Sequence, residues 1–366
     1  MTPEETELLS ELTIVIPTYN RPLELERSIE YWRVLPVTVH ILDGSLNPSF
    51  CEGRLFDSKS IYYHHKPTLP LVNPQLNVMN RLVFAASLPQ TKYSAVGCDD
   101  DFYTISGLVE SIKCLEQHNN FDAVVGSELH YRRKKNSLVW NFHRGPKRNS
   151  KELETSSIEE KLRIRSSWYL YAVCRTPLWR KYIEISYEER GFSHLQHLGH
   201  EWVMHWLSKA MFKTKRLDLI SLVRQHLVQG VNIEPEVSWI EWLTDPDNRY
   251  LVDEVVGQLV KGFNFVSSPA DYEKNLRLAR KLVSEQQIPS NRKQIQSFNQ
   301  VLRRIGSGLV FKVLPNLKVF SDRPHKLKDS WEMLHATGLG YERRELENIN
   351  DLLLKPREEL RLRANI

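Results

Sequence analysis

The sequence has little of what marks several large protein classes. Only four cysteines occur in 366 residues, Cys51, Cys98, Cys114 and Cys174, and none form a Cys-x-x-Cys pair. That excludes a cysteine zinc cage and a disulfide framework, so the thiols read as reduced. No run of about 18 apolar residues exists. The nearest approach, Gly306 to Phe320, is broken by Lys312, Pro315, Asn316 and Lys318. Met1 to Glu11 is acidic and has no apolar centre, which excludes a signal peptide as the expectation for this segment. No internal repeat and no low-complexity stretch is present. The formal net charge of +5 falls short of the basic stripe of a nucleic-acid binder, so no nucleic-acid partner is expected.

What is present is the mix of a water-soluble globular chain, 41% hydrophobic and 26% charged. The expected location is cytoplasmic. A second expectation is peripheral contact with the inner face of a membrane, through Arg303, Arg304, Lys312 and Lys318 among apolar residues; a solvated helical face is the plainer reading.

In the first half, short apolar runs alternate with helical patterns. Leu12 to Pro17, Val37 to Leu42, Ile61 to Tyr63, Tyr93 to Gly97 and Phe121 to Val125 read as strands. Pro22 to Trp32, Val72 to Leu88 and Ile105 to Gln117 read as helices, with Pro22 suited to a first helical position. Leu129 to Phe142 reads as a hairpin, Trp168 to Cys174 as a strand, His200 to Phe212 as a helix, and Leu217 to Leu222 as a strand. This alternation predicts an α/β domain with a mixed, mostly parallel sheet. Beyond Gly230 only helices are predicted, at Asp253–Val260, Asp271–Gln286, Ile295–Ile305, Leu327–Ala336 and Glu342–Leu354. The organisation expected is therefore a catalytic domain over 1–229 and a helical C-terminal region over 230–366.

Polar clusters close the predicted strands: Pro17-Thr18-Tyr19-Asn20-Arg21, Asp43-Gly44-Ser45 and Asp99-Asp100-Asp101. Ligands gather at the carboxyl ends of strands in such sheets. Three adjacent carboxylates repel one another, by about 1 kcal/mol or more per pair at ~4 Å even near water. A divalent cation with oxygen ligands, Mg2+ or Mn2+, would relieve that and bridge to phosphates. A solvated acidic turn before the helix at Ile105 is the alternative.

These three segments, in this order, resemble the family-2-like inverting glycosyltransferases of the Rossmann-like GT-A fold, over roughly residues 12 to 226. The resemblance implies transfer of a sugar from a nucleotide-sugar donor, commonly UDP-linked, to a saccharide or lipid-linked saccharide acceptor, in the setting of polysaccharide biosynthesis. It places Pro17, Thr18 and Tyr19 at the nucleobase and ribose, Asp43 on the base, and Arg21, Asn77, Arg81 and Asp100 among the donor contacts. Asp99 and Asp101 become the Asp-x-Asp pair that holds the metal, and His226 a third ligand. Glu201 becomes the general base. Two departures stand out: Leu42 replaces an acid before Asp43-Gly44-Ser45, and three acids stand in a row at Asp99. The register of the metal ligands is left open by one residue.

Rival readings are a nucleotidyltransferase and a binding module without catalysis. The first would carry a Gly-rich basic loop where Thr18-Tyr19-Asn20-Arg21 stands. A zinc hydrolase helix needs His-Glu-x-x-His, and Met204 occupies the last position after His200-Glu201. His64-His65-Lys66 reads as a surface loop. Cys98 and Cys174 receive no covalent role.

Overall fold

The computed structural model describes residues 1–50, 53–54, 60–67, 74–88, 91–134, 137–141, 157–163, 169–186, 197–225, 249–287, 327, 331, 334–335 and 338–356. The predicted boundary at 229/230 and the predicted helix at 295–305 lie outside these residues.

The apolar run after Glu11 forms strand β1 (Leu12–Thr18), and β-branched residues fill it. β1 pairs in parallel with β2 (Thr38–Asp43) on one side and β5 (Tyr93–Val96) on the other. β2 pairs in parallel with β4 (Ile61–His65), which carries β3 (Gly53–Arg54) antiparallel at the sheet edge. Past β5 the order is β9 (Val173–Arg175), β7 (Ala123–Lys134), β10 (Thr214–Gln225) and β6 (Phe102–Tyr103). β7 and β10 are parallel, and β8 (Ser137–Asn141) folds back on β7 as the predicted hairpin. The long ladders are parallel and the antiparallel pairings mostly short, which is the mixed, mostly parallel α/β sheet expected.

Alternation along β1 splits the core. Ile14 and Ile16 face one layer, with Leu25, Ile29 and Trp32 of α2 (Pro22–Trp32) and Leu108 and Ile112 of α4 (Ile105–Gln117). Val15 faces the other layer, where α3 (Pro74–Ser87), α6 (Thr176–Ser186) and α7 (His197–Met211) pack. α5 (Ile158–Arg163) adds Leu162 to that layer. Two later helices, α8 (Arg249–Val266) and α9 (Tyr272–Gln287), bury Val255, Leu259, Phe263 and Val283 in this same core. A third cluster joins Leu129, Trp140 and Val223 of the sheet to Leu346, Ile349 and Leu353 of α10 (Arg343–Leu354). The described C-terminal helices thus share their apolar surfaces with the sheet.

Four differences from the sequence reading have local causes. The first residues form a helix, α1 (Pro3–Ser10), because Thr2 and Glu5 complete a reciprocal capping box and Pro3 opens the first turn. The strand expected over Trp168–Cys174 is a 3-10 turn at Tyr169–Tyr171 followed by β9. There the Tyr171 carbonyl accepts the Tyr103 hydroxyl and the Tyr171 hydroxyl reaches Cys98 Sγ at 3.2 Å. The strand expected over Phe121–Val125 and the first arm of the hairpin expected over Leu129–Phe142 are one strand, β7, because the polar residues between them still find ladder partners on β10. His64 and His65 are not a surface loop. They end β4, where His64 Nε2 lies 3.1 Å from His40 Nδ1 and His65 Nε2 lies 2.8 Å from the Ser45 carbonyl.

One glycine helps set the position of α4, which follows the three aspartates. A side chain at Gly107 would meet the Ser221 backbone at 2.6 Å, so its absence lets α4 close on β10. Thr104 caps the helix, its hydroxyl accepting the Gly107 N–H at 3.1 Å and donating to the Ile220 carbonyl at 2.7 Å.

Candidate active site

Three strand ends meet. β1 finishes at Thr18, and the chain turns through Asn20, which takes the left-handed conformation at φ 53°. Asparagine tolerates this better than most residues. The turn is fixed to the end of β2: Gly44 N–H donates to the Thr18 carbonyl at 2.9 Å and Asn20 N–H to Ser45 Oγ at 2.9 Å. It is fixed equally to the end of β5. Thr18 Oγ1 donates to Asp99 Oδ2 at 2.6 Å, and the Arg21 fork reaches Asp99 Oδ1 at 2.8 Å and Asp100 Oδ2 at 2.7 Å. Segments separated by about 80 residues in sequence therefore form one hydrogen-bonded unit.

The aspartates are buried: Asp99 is 3%, Asp100 9% and Asp101 4% exposed. Burial of an anion is costly without compensation. Asp101 Oδ1 accepts the Gln225 N–H at 3.0 Å, and Arg224 Nε stands 3.5 Å from Asp101 Oδ2. Even so, burial first and the Asp100 charge second raise the Asp99 and Asp101 carboxyls above the ordinary range, against the pull of Arg21 and Arg224. Burial by itself would lower Arg21, but Asp99 and Asp100 outweigh it and hold the guanidinium firmly charged.

Asp43 is the opposite case. It is fully buried, yet its carboxylate accepts Ser45 N–H at 2.8 Å, the Ser45 hydroxyl and the Tyr63 hydroxyl at 2.6 Å. Burial opposes ionisation there, and these donors together overcome it, leaving the group below the ordinary range. Asn77 and Arg81, on α3, are each 4% exposed. Burial lowers Arg81 to about 10, with Asp43 and Tyr19 as the opposing charges that place it beside them. Tyr19 is 42% exposed and Pro17 half-buried.

A wider ring escaped the sequence reading. Glu128, His130 and Tyr131 come from the β7 extension. Glu128 Oε2 lies 3.1 Å from His130 Nε2 and 3.8 Å from Arg224 Nη1. Arg224 also stacks on Tyr171, 4.9 Å from the ring centre. The Tyr131 hydroxyl donates to the Asp100 carbonyl at 2.7 Å. The signal was there: Glu128-Leu129-His130-Tyr131 alternates polar and apolar shortly after Val125, as a strand with one wet face does.

Cys98 Sγ and carboxylate oxygens of Asp100 and Asp101 lie within 4.8 Å of one another. The two carboxylates suit a hard divalent cation. The Cys98 thiol suits it poorly, since burial and then Asp101 and Asp100 hold it protonated. Asp99, with both oxygens engaged by Thr18 and Arg21, stands beside this group. Glu201 lies one turn inside α7, which opens at His197 rather than at His200; the Glu201 side chain is outside the described residues. His194 and His226 are outside them too. His205, on α7, is held neutral by burial, which lowers it to about 3.

No protein-family model and no curated protein matches the sequence. Among solved structures, the chain is similar to S. aureus TarS residues 1–349, with TM-score 0.42 and 11% identity over 89% of this chain and 78% of that one. The same fragment in complex with UDP-GlcNAc gives TM-score 0.42 and 12% identity, covering 72% and 70%. S. aureus TarS itself gives 0.40 and 11%, covering 75% of this chain and 54% of that one. Likeness at this level is too distant to bear on activity, so the functional reading rests on the site itself.

Proposed function

We propose that this chain is a metal-dependent, inverting glycosyltransferase of the GT-A type, moving a sugar from a nucleotide-sugar donor, UDP-linked by preference, to an acceptor hydroxyl. One observation carries the reading: the ends of β1, β2 and β5 are hydrogen-bonded into a single acidic and basic cluster at the carboxyl edge of the sheet. A solvated acidic turn would leave the three aspartates in water, and they are buried instead.

In this reading the nucleoside lies between Pro17, Tyr19 and the Asp43–Arg81 wall, with Asn77 behind. Tyr19 offers an exposed ring for stacking. Asp43 acts chiefly by holding Ser45 and Tyr63 in place. Asp100 and Asp101 would hold the divalent ion, Mn2+ or Mg2+, with Asp99 beside them and His226 as the further ligand the resemblance implies. When bound, such an ion offsets the negative charge that grows on the leaving diphosphate. Glu201 takes the acceptor proton as that oxygen attacks the anomeric carbon opposite the leaving group. The acceptor is a saccharide or a lipid-linked saccharide. No described helix is long and apolar enough to cross a membrane.

The test is a donor screen with purified protein, nucleotide sugars including UDP-GlcNAc, and Mn2+, reading release of nucleoside diphosphate. Turnover of one donor supports transfer. Release of pyrophosphate from a nucleoside triphosphate and a sugar phosphate would favour nucleotidyl transfer, and tight binding without turnover a binding module.

A further inference from the structure

Arg21 is placed where a metal and a diphosphate would both compete for its partners. Its fork spans Asp99 and Asp100 at 2.8 and 2.7 Å. Asp100 alone belongs both to that pair and to the Cys98–Asp100–Asp101 group. Arg224 holds Asp101 less closely, at 3.5 Å, and shares itself with Glu128. The Arg21 side chain is 23% exposed, so one edge of it faces solvent. It also stands just before α2, at the N-cap, with no side-chain bond to that helix.

Two consequences follow from charge. A divalent cation on Asp100 and Asp101 would stand within a few ångströms of the guanidinium, and like charges at that distance disfavour binding. A diphosphate arriving with the ion reverses this, because a planar guanidinium pairs well with phosphate oxygens. We infer that Arg21 is a resident counter-cation that couples the two ligands: it holds Asp99 and Asp100 when the site is empty, penalises metal alone, and turns to the diphosphate when metal and nucleotide bind together. The inference rests on the metal and nucleotide reading given above.

The measurement is Mn2+ binding to the full chain, followed by loss of the free-ion electron paramagnetic resonance signal, with and without UDP. For the unaltered chain, UDP should tighten Mn2+ binding by more than about tenfold, a coupling that must be reciprocal. R21Q should bind Mn2+ alone about tenfold more tightly than the unaltered chain and gain less than about threefold from UDP. R21K keeps the charge and should bind Mn2+ alone within about threefold of the unaltered chain. R21Q binding Mn2+ alone no more tightly, or keeping the full gain from UDP, overturns the inference. So does R21K binding metal as tightly as R21Q is expected to. An unaltered chain that binds no Mn2+ even with UDP overturns the metal reading and this inference together. Normal coupling in both the unaltered chain and R21Q overturns this inference alone.

Discussion

Asp43 and the Asp99–Asp101 group are both buried aspartates at strand ends, yet they are opposites. Asp43 sits among hydroxyl and N–H donors and ionises more readily than usual. Asp99 and Asp101 sit beside another carboxylate and hold their protons more tightly than usual, despite Arg21 and Arg224. The first arrangement is complete without a ligand and makes a rigid wall. The second is unsatisfied without further positive charge, which is what a site for a cation and a diphosphate requires.

The comparison breaks first on activity. D101A and E201Q should each lower the rate of transfer by about 10²–10⁴-fold with unchanged circular dichroism. A fully active E201Q would remove the base assignment. Stability separates the two regions next. D43N should cost about 1–3 kcal/mol, because a buried hydrogen-bond set loses its acceptor, and thermal unfolding will show it. D101N in metal-free protein at pH 8 should match or exceed the unaltered chain by up to about 1 kcal/mol, because a like-charge pair is relieved. D101N as damaging as D43N would erase the distinction drawn here.

Stability against pH should also diverge. A carboxyl raised in the folded state contributes stability that is complete below its unfolded value near about pH 4 and is lost as pH rises through the folded value. Metal-free protein should therefore lose stability through Asp99 and Asp101 as pH rises from about 4 to the folded values of about 7 and about 8, and D101N should flatten that slope. Asp43, lowered in the folded state, contributes stability present above about pH 4 and lost in acid, so D43N should flatten only the acid limb. The smallest effect lies at α10. Glu345 accepts the Ile105 N–H and, at 2.8 Å, the Ser106 hydroxyl, pinning α10 to the start of α4 beside the aspartates. E345A should cost about 1 kcal/mol, the usual worth of a helix cap, measured by denaturant unfolding.

Much of this was legible in the sequence because the signals were local. Pro22 opening α2 and the helical pattern over Ile105–Gln117 located those helices, and the apolar runs ending in polar clusters located β1, β2 and β5. What stayed hidden depended on distant partners. That Arg21 would neutralise Asp99 and Asp100 needs the β1–β5 pairing. The hairpin expected over Leu129–Phe142 is present, but that its first arm is continuous with the strand at Phe121–Val125, carrying Glu128 and His130 to the site, needs β10 as neighbour. The sequence offers a divalent cation or solvent to relieve the repulsion among the aspartates, whereas two arginines already share that burden. α1 was missed although its capping box, Thr2 to Glu5, is a sequence pattern.

The central claim is that the joined strand ends form one site for a nucleoside diphosphate and a divalent ion. Calorimetric titration of UDP into the unaltered chain and into D101A, each with and without Mn2+, tests it most directly. The account predicts binding by the unaltered chain that strengthens at least about tenfold with Mn2+, and none of that gain in D101A. Equal affinity with and without Mn2+, or a gain that survives D101A, would contradict it.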